Sequence, residues 1–180
     1  MSLSRYRAWD KENDRMIYPS NDDVYFNLTD DGISIEDLAL EPYDGVFPLL
    51  DSVLMQSTGL KGYMSDSHED DEEKDIYRGD IIDIFWEEWP MGYYQENHMI
   101  GVVDKDETGT AWIIKNAKYD FDTPKPIPSE IDGISVSMSL PDAEDLEEIF
   151  LHNFNLTSSD ITILGNIYEN PELLEQADEN

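Results

Sequence analysis

The residues that could do chemistry are few and scattered. Asp104, Asp106 and Thr108 place oxygens at the first, third and fifth positions of a loop whose sixth position is Gly109, which is how a calcium loop begins. The twelfth position, where a bidentate carboxylate belongs, is Lys115, so a hairpin turn is the better reading. His68-Glu69-Asp70-Asp71 offers ligand types, but a run of acids brings no geometry of its own. The histidines are His68, His98 and His152; none sits in an H-E-x-x-H spacing or beside a serine elbow. Glycine-rich phosphate loops are absent, and paired carboxylates are so common that pairing carries no information. With no cysteine, disulfides, thiolate metal sites and cysteine nucleophiles are excluded. The expectation is a protein without catalytic residues, metal or cofactor.

A different chemistry is written at residues 86–94. Trp86-Glu87-Glu88-Trp89-Pro90-Met91-Gly92-Tyr93-Tyr94 carries four aromatic rings in nine residues. Part of this stretch belongs to a core. If Trp89, Met91, Tyr93 and Tyr94 stand exposed together, they form an anchor-rich surface for a partner. Both readings stay open at this point.

Charge narrows the partners. The 180 residues include 11 Lys and Arg against 42 Asp and Glu, for a net charge of −31. Such a chain repels nucleic acid and anionic membranes. Aromatic residues at 11% argue for an ordered body rather than disorder. No apolar run approaches the ~20 residues of a membrane helix, and no secretory leader is visible, so the expected compartment is the cytoplasm. Met1-Ser2-Leu3 reads as vector-derived and is left out of the fold expectation.

The elements that must carry these residues are mostly strands. Residues 4–18 read as a hairpin, with Tyr6 and Ala8 on one face and Arg5, Arg7 and Trp9 on the other. Its three arginines are expected to pair with carboxylates. Val24–Leu28, Ile33–Ile35 and Ser52–Gln56 are further strands, the last closed at Gly59. Residues 65–75 read as an acidic, mobile loop. Ile81–Trp86 is a strong strand, Ile100–Val103 and Ala111–Ile114 form a hairpin, and the proline-rich Thr123–Pro128 is a connector. Ile134, Val136 and Met138 alternate with serines, which suggests a strand. A helix is predicted over Asp142–Asn153, with Ser139 as its cap and acids at its positive end. Ile161–Ile167 is a last strand, and Pro171 opens a short helix through Leu174. The fold class is α+β, dominated by β structure. It comprises an N-terminal hairpin region at 4–64, the acidic loop at 65–75, a C-terminal small β-barrel with one inserted helix at 76–174, and a frayed acidic tail at 175–180.

Three blocks of the chain resemble the YopX family of bacteriophage and prophage proteins. They are Tyr6-Arg7-Ala8-Trp9-Asp10 with Met16-Ile17-Tyr18; Leu54-Met55-Gln56-Ser57-Thr58-Gly59-Leu60 leading to Ile76-Tyr77-Arg78-Gly79-Asp80-Ile81; and Ile163-Leu164-Gly165-Asn166-Ile167-Tyr168-Glu169-Asn170-Pro171. The long acidic stretch after Gly59-Leu60 and the helix at 142–153 depart from the family pattern. The resemblance implies a phage-encoded protein of the host cytoplasm whose C-terminal part is a barrel of the Src homology 3 type. It carries over no catalytic residue. The expected role is accessory, by binding a host or phage protein or by forming a homo-oligomer. One alternative is an acidic DNA mimic that inhibits a host DNA-binding enzyme, with Asp142, Asp145 and Glu148 sharing a helix face. Another is a hydrolase or metal-dependent enzyme without a recognisable motif.

Overall fold

The computed structural model describes residues 5–30, 32–65, 72–89, 94–120, 130–131, 134–135 and 149–175. Thirteen strands follow in order: β1 (Tyr6–Asp10), β2 (Arg15–Ile17), β3 (Val24–Thr29), β4 (Gly32–Asp37), β5 (Ser52–Met64), β6 (Lys74–Tyr77), β7 (Asp80–Glu88), β8 (Gln95–Lys105), β9 (Trp112–Asp120), β10 (Glu130–Ile131), β11 (Ile134–Ser135), β12 (Ile149–Phe150) and β13 (Ile161–Asn166). Turns of 3-10 helix at Leu151–Asn153 and Ser158–Asp160 lead into β13, and helix α1 (Glu172–Glu175) follows it.

Nine strands form one sheet in the order β12-β9-β8-β7-β13-β5-β1-β2, with β6 on β5. Its central part is a meander, because β7, β8 and β9 pair antiparallel with their neighbours in sequence. The last strand then inserts beside the first part of the chain: β13 runs antiparallel to β7 and parallel to β5. One sheet therefore runs through both of the regions expected at 4–64 and 76–174. β3 and β4 form a separate hairpin.

Alternation explains the packing. Ile82, Ile84, Met99, Val103, Ile114, Ile161 and Ile163 point to one side and close the main core with Ile76, Ile149 and Leu151. Burying such branched side chains contributes on the order of 2 kcal/mol each. A second cluster of Ala8, Ile17, Val24, Phe26 and Ile35 lies where the β3–β4 hairpin meets β1 and β2.

Several expectations are corrected. The helix over Asp142–Asn153 does not reach its predicted end: Ile149 and Phe150 pair with Ile114 and Ile113 of β9, and Leu151–Asn153 is a 3-10 turn. The apolar side chains read as a helical stripe are taken by a sheet edge, which buries Ile149 and Leu151 in the core. Asp142–Glu148, the connector at 123–128 and the alternating residues 136–138 lie outside the described residues. Among the described residues the strand order is open from β12 to β2, and no ladder closes it into a barrel. β5 does not stop at Gly59. That residue takes φ +84° within the register shift between Ser57 and Lys61, a bulge that lets the strand continue to Met64. Nor is the acidic stretch a loop throughout, since β6 begins at Lys74, and Glu73 accepts a 2.5 Å hydrogen bond from Ser158 Oγ. The hairpin expected over residues 4–18 is present as β1 and β2, and with β5 on the other side of β1 all five residues of that strand are buried.

Candidate functional site

Of the aromatic residues at 86–94, Trp86, Trp89 and Tyr94 lie at the far end of the β7–β8 ladder, where Glu88 pairs with Gln95. β7 alternates as a half-buried strand must, so Trp86 packs on the core and Phe85 turns to the other face, its ring 5.1 Å from that of His98. Beyond the pairing Trp89 is 59% exposed and Tyr94 51% exposed. Their rings meet at 5.3 Å and 58°. Met91 and Tyr93 lie outside the described residues.

Trp89 is part of a groove rather than an isolated ring. A cleft of about 840 Å³ is lined by Phe85, Trp86, Trp89, Phe154 and Leu156, with Glu87 and Asp160 among the polar residues. The Phe154 ring packs tilted against that of Trp86, 5.7 Å away at 58°, which ties the segment before β13 to the end of β7. The Tyr94 hydroxyl is shared between Glu96 (2.5 Å) and Glu87 (2.8 Å). These carboxylates sit directly opposite each other on β7 and β8, where like charges repel. Hydrogen bonding to Glu96 first, then Glu87, raises the tyrosine's pKa and holds its proton between them. The other tryptophans are engaged: Trp9 stacks on Tyr168 at 5.6 Å, and Trp112 lies under Lys105 Nζ at 3.5 Å.

A second cleft, of about 740 Å³, contains Arg7, Tyr77, Asp80, Asn166, Glu169 and Lys61. Arg7 forms a buried ion pair with Asp80, and its guanidinium lies 4.6 Å above the Tyr77 ring. The second Asp80 oxygen accepts the Tyr77 N–H at 2.8 Å. Burial pushes the Asp80 carboxyl up to about 6, while Arg7 pulls it down. Arg15 donates to Asp10 at 3.2 Å and Asp23 at 2.5 Å. Arg7 and Arg15 thus both take carboxylates, but Arg7 takes one 73 residues away.

The other candidates are dispersed. Asp106 accepts from Thr108 Oγ1, Thr110 N and Ala111 N, and the Thr108 hydroxyl above all lowers its pKa to about 2. Its oxygens serve the hairpin turn. Asp104 is pulled upward by burial yet held below the usual carboxylate range by Lys115 and Arg78, each at 2.7 Å. No group of three metal-ligating side chains gathers among the described residues. His98 Nδ1 lies 3.1 Å from Asp83, and His152 faces the Phe150 ring at 5.2 Å. Neither lines the groove at Trp89 or the cleft at Arg7, and His68 is outside the described residues.

The sequence reading named Trp89 and Tyr94 but missed Phe154 and Leu156. Both were expected to lie at or just past the end of a helix, and their apolar type was the only signal for them.

Fold and site together define a small, acidic protein dominated by one twisted sheet, with an aromatic groove at one end of its meander. A model of the YopX protein family matches residues 5–130, and the chain belongs to that family. The match takes in the first two blocks of resemblance; the third, at 163–171, lies beyond it. No curated protein and no solved structure matches the chain. No helix among the described residues is long and apolar enough to cross a membrane.

Proposed function

We propose that this is a phage-encoded accessory protein of the host cytoplasm that acts by binding another protein, of the host or of the phage. It acts as a binder and not as an enzyme. The observation that supports this is the exposure of Trp89 at the rim of a groove walled by Phe85, Trp86, Phe154 and Leu156. Large aromatic side chains left in water beside an apolar groove are what a partner's side chains cover at an interface centre. The net charge of −31 argues against nucleic acid as that partner. The finer fold reading belongs here too. The path β5-β13-β7-β8-β9, with a 3-10 turn entering β13, is how we read a small barrel of the Src homology 3 type. An experimental structure of the full chain whose ladders close between β9 and β5 or β6 would establish it.

The test is a pull-down from host lysate at ~0.15 M and ~0.5 M salt, beside an unrelated protein of equal charge. The expected result is a protein captured at both salt concentrations by the native chain and lost with Trp89→Ala. Capture matched by the control, or indifferent to Trp89→Ala, would overturn the groove as the binding surface. A native chain that retains only its own second copy would make the interface a homo-oligomeric one.

A further inference from the structure

The tryptophans differ in what covers them. Trp9 stacks on Tyr168 at 5.6 Å, Trp86 packs on the main core, and Trp112 lies under Lys105 Nζ. The Trp89 ring meets that of Tyr94 at 5.3 Å and stays 59% exposed. The carboxylates beside it are also incompletely served. Glu87 and Glu96 stand opposite each other on β7 and β8, and the Tyr94 hydroxyl lies 2.8 Å from the first and 2.5 Å from the second. A hydroxyl donates one proton, so two negative charges share a single donor. Neither glutamate takes part in an ion pair of the described residues. Among those residues no Lys or Arg lines the groove, while Glu87 and Asp160 do.

The same chain shows elsewhere how ring and carboxylate are completed. The Arg7 guanidinium lies 4.6 Å from the centre of the Tyr77 ring and pairs with Asp80; Lys105 covers Trp112 at 3.5 Å. Three forces favour a cation at Trp89 as well. An open indole face attracts positive charge through its quadrupole. A cation between facing carboxylates relieves their repulsion. The apolar walls at Phe154 and Leu156 suit the methylene stem of a long basic side chain. Arginine fits better than lysine, because its planar guanidinium stacks on a ring, forks to a carboxylate and is less tightly hydrated.

We propose that the groove takes an arginine of the partner, set between apolar residues. Its guanidinium lies on the Trp89 indole and bonds to Glu87, and its stem runs along Phe154 and Leu156. This rests on the reading of the groove as a protein-binding surface, and names the side chain that the surface receives.

The probe is the peptide acetyl-Gly-Leu-Arg-Leu-Gly-amide, titrated into the full chain at ~0.15 M salt while the indole N–H resonances of the four tryptophans are followed. Two further peptides carry lysine, or the uncharged citrulline, in place of arginine. The expected result is a shift at Trp89 that saturates with a Kd of about 1 mM or below. The citrulline peptide should bind about tenfold more weakly, and the lysine peptide about threefold more weakly. Glu87→Gln with Glu96→Gln, which keeps the Trp89 reporter, should weaken the arginine peptide about fivefold. Three outcomes would overturn the proposal. Equal binding of the citrulline peptide would mean that the groove takes apolar chain, which leaves it a binding surface. Shifts as large at Trp112 as at Trp89 would mean attraction by charge alone. The third is no shift at Trp89 with any peptide up to about 10 mM. The lysate pull-down with Trp89→Ala does not depend on which side chain enters, so it judges the underlying reading separately.

Discussion

The cleft at Arg7 and the groove at Trp89 put opposite kinds of residue to opposite uses. At Arg7–Asp80, charged side chains are buried: Asp80 is 1% exposed, tied to Arg7 and to the Tyr77 N–H. At Trp89, an indole is 59% exposed beside Phe154 and Leu156. Ordinary folding physics explains the first arrangement. The Asp80 carboxylate closes the turn between β6 and β7 and anchors it to β1, so its chemistry is spent on holding three strands together. In the second, Phe154 and Leu156 pack against the main core, whereas the Trp89 ring stays largely in water. A perturbed carboxylate in a cleft therefore marks structure in this protein, and the exposed indole is where the proposed binding surface stands to be tested.

The largest effect that can break this comparison comes from separating the ion pair. Arg7→Met leaves the Asp80 carboxylate buried against the Tyr77 N–H without its cation. That should cost about 3–5 kcal/mol of unfolding free energy, measured by urea denaturation. Replacing both partners with apolar residues, Arg7→Met with Asp80→Leu, should recover most of the loss. A single variant within ~1 kcal/mol of the native chain would show that the pair is incidental.

Acidity gives the next effect. Burial raises the folded Asp80 carboxyl to about 6, above its ordinary value of 3.8. A raised folded pKa contributes stability that is complete below ~4 and is lost as pH climbs through ~6, by up to about 3 kcal/mol. Self-repulsion of a chain at −31 falls in the same direction but is screened by salt. Unfolding at ~0.5 M salt between pH 4 and pH 7 should keep a decline in the native chain and lose it in the Arg7→Met, Asp80→Leu pair. An equal slope in both would assign the decline to general charge and not to Asp80.

How much of this was legible follows from the range of each signal. Local alternation announced β7, the β8–β9 hairpin and β13, and Asn170-Pro171 announced α1. The glycine at 165 answers a contact in the turn after β13: a Cβ there would lie 2.3 Å from the Asn170 side chain, whose Oδ1 accepts the Asn166 N–H at 3.3 Å. Nothing local says that β13 inserts between β7 and β5, because parallel pairing of residues 99 positions apart leaves no periodicity to read. The same holds for Arg7, whose carboxylate was expected nearby and lies on β7. The stripe at Leu146–Leu151 fitted a helix over a window of a few residues, but β9 offered Ile149 and Phe150 an edge to join, and tertiary pairing overrode the pattern. The groove was half visible. Trp89 could be named from composition, whereas Phe154 became its wall only through contact with Trp86 across the fold.

The smallest effect on stability carries the most information about function. Trp89 gives up little contact when removed, so Trp89→Ala should leave the unfolding free energy within ~0.5 kcal/mol of the native value. Phe154→Ala should cost more, about 2 kcal/mol, because that ring packs on Trp86 and the main core. If both variants lose the captured partner, the groove binds as one surface with an exposed anchor and a fixed wall. If Trp89→Ala alone destabilises by ~2 kcal/mol or more, the indole is part of the core after all. The contrast with Arg7–Asp80 would then vanish, since both clefts would be structural.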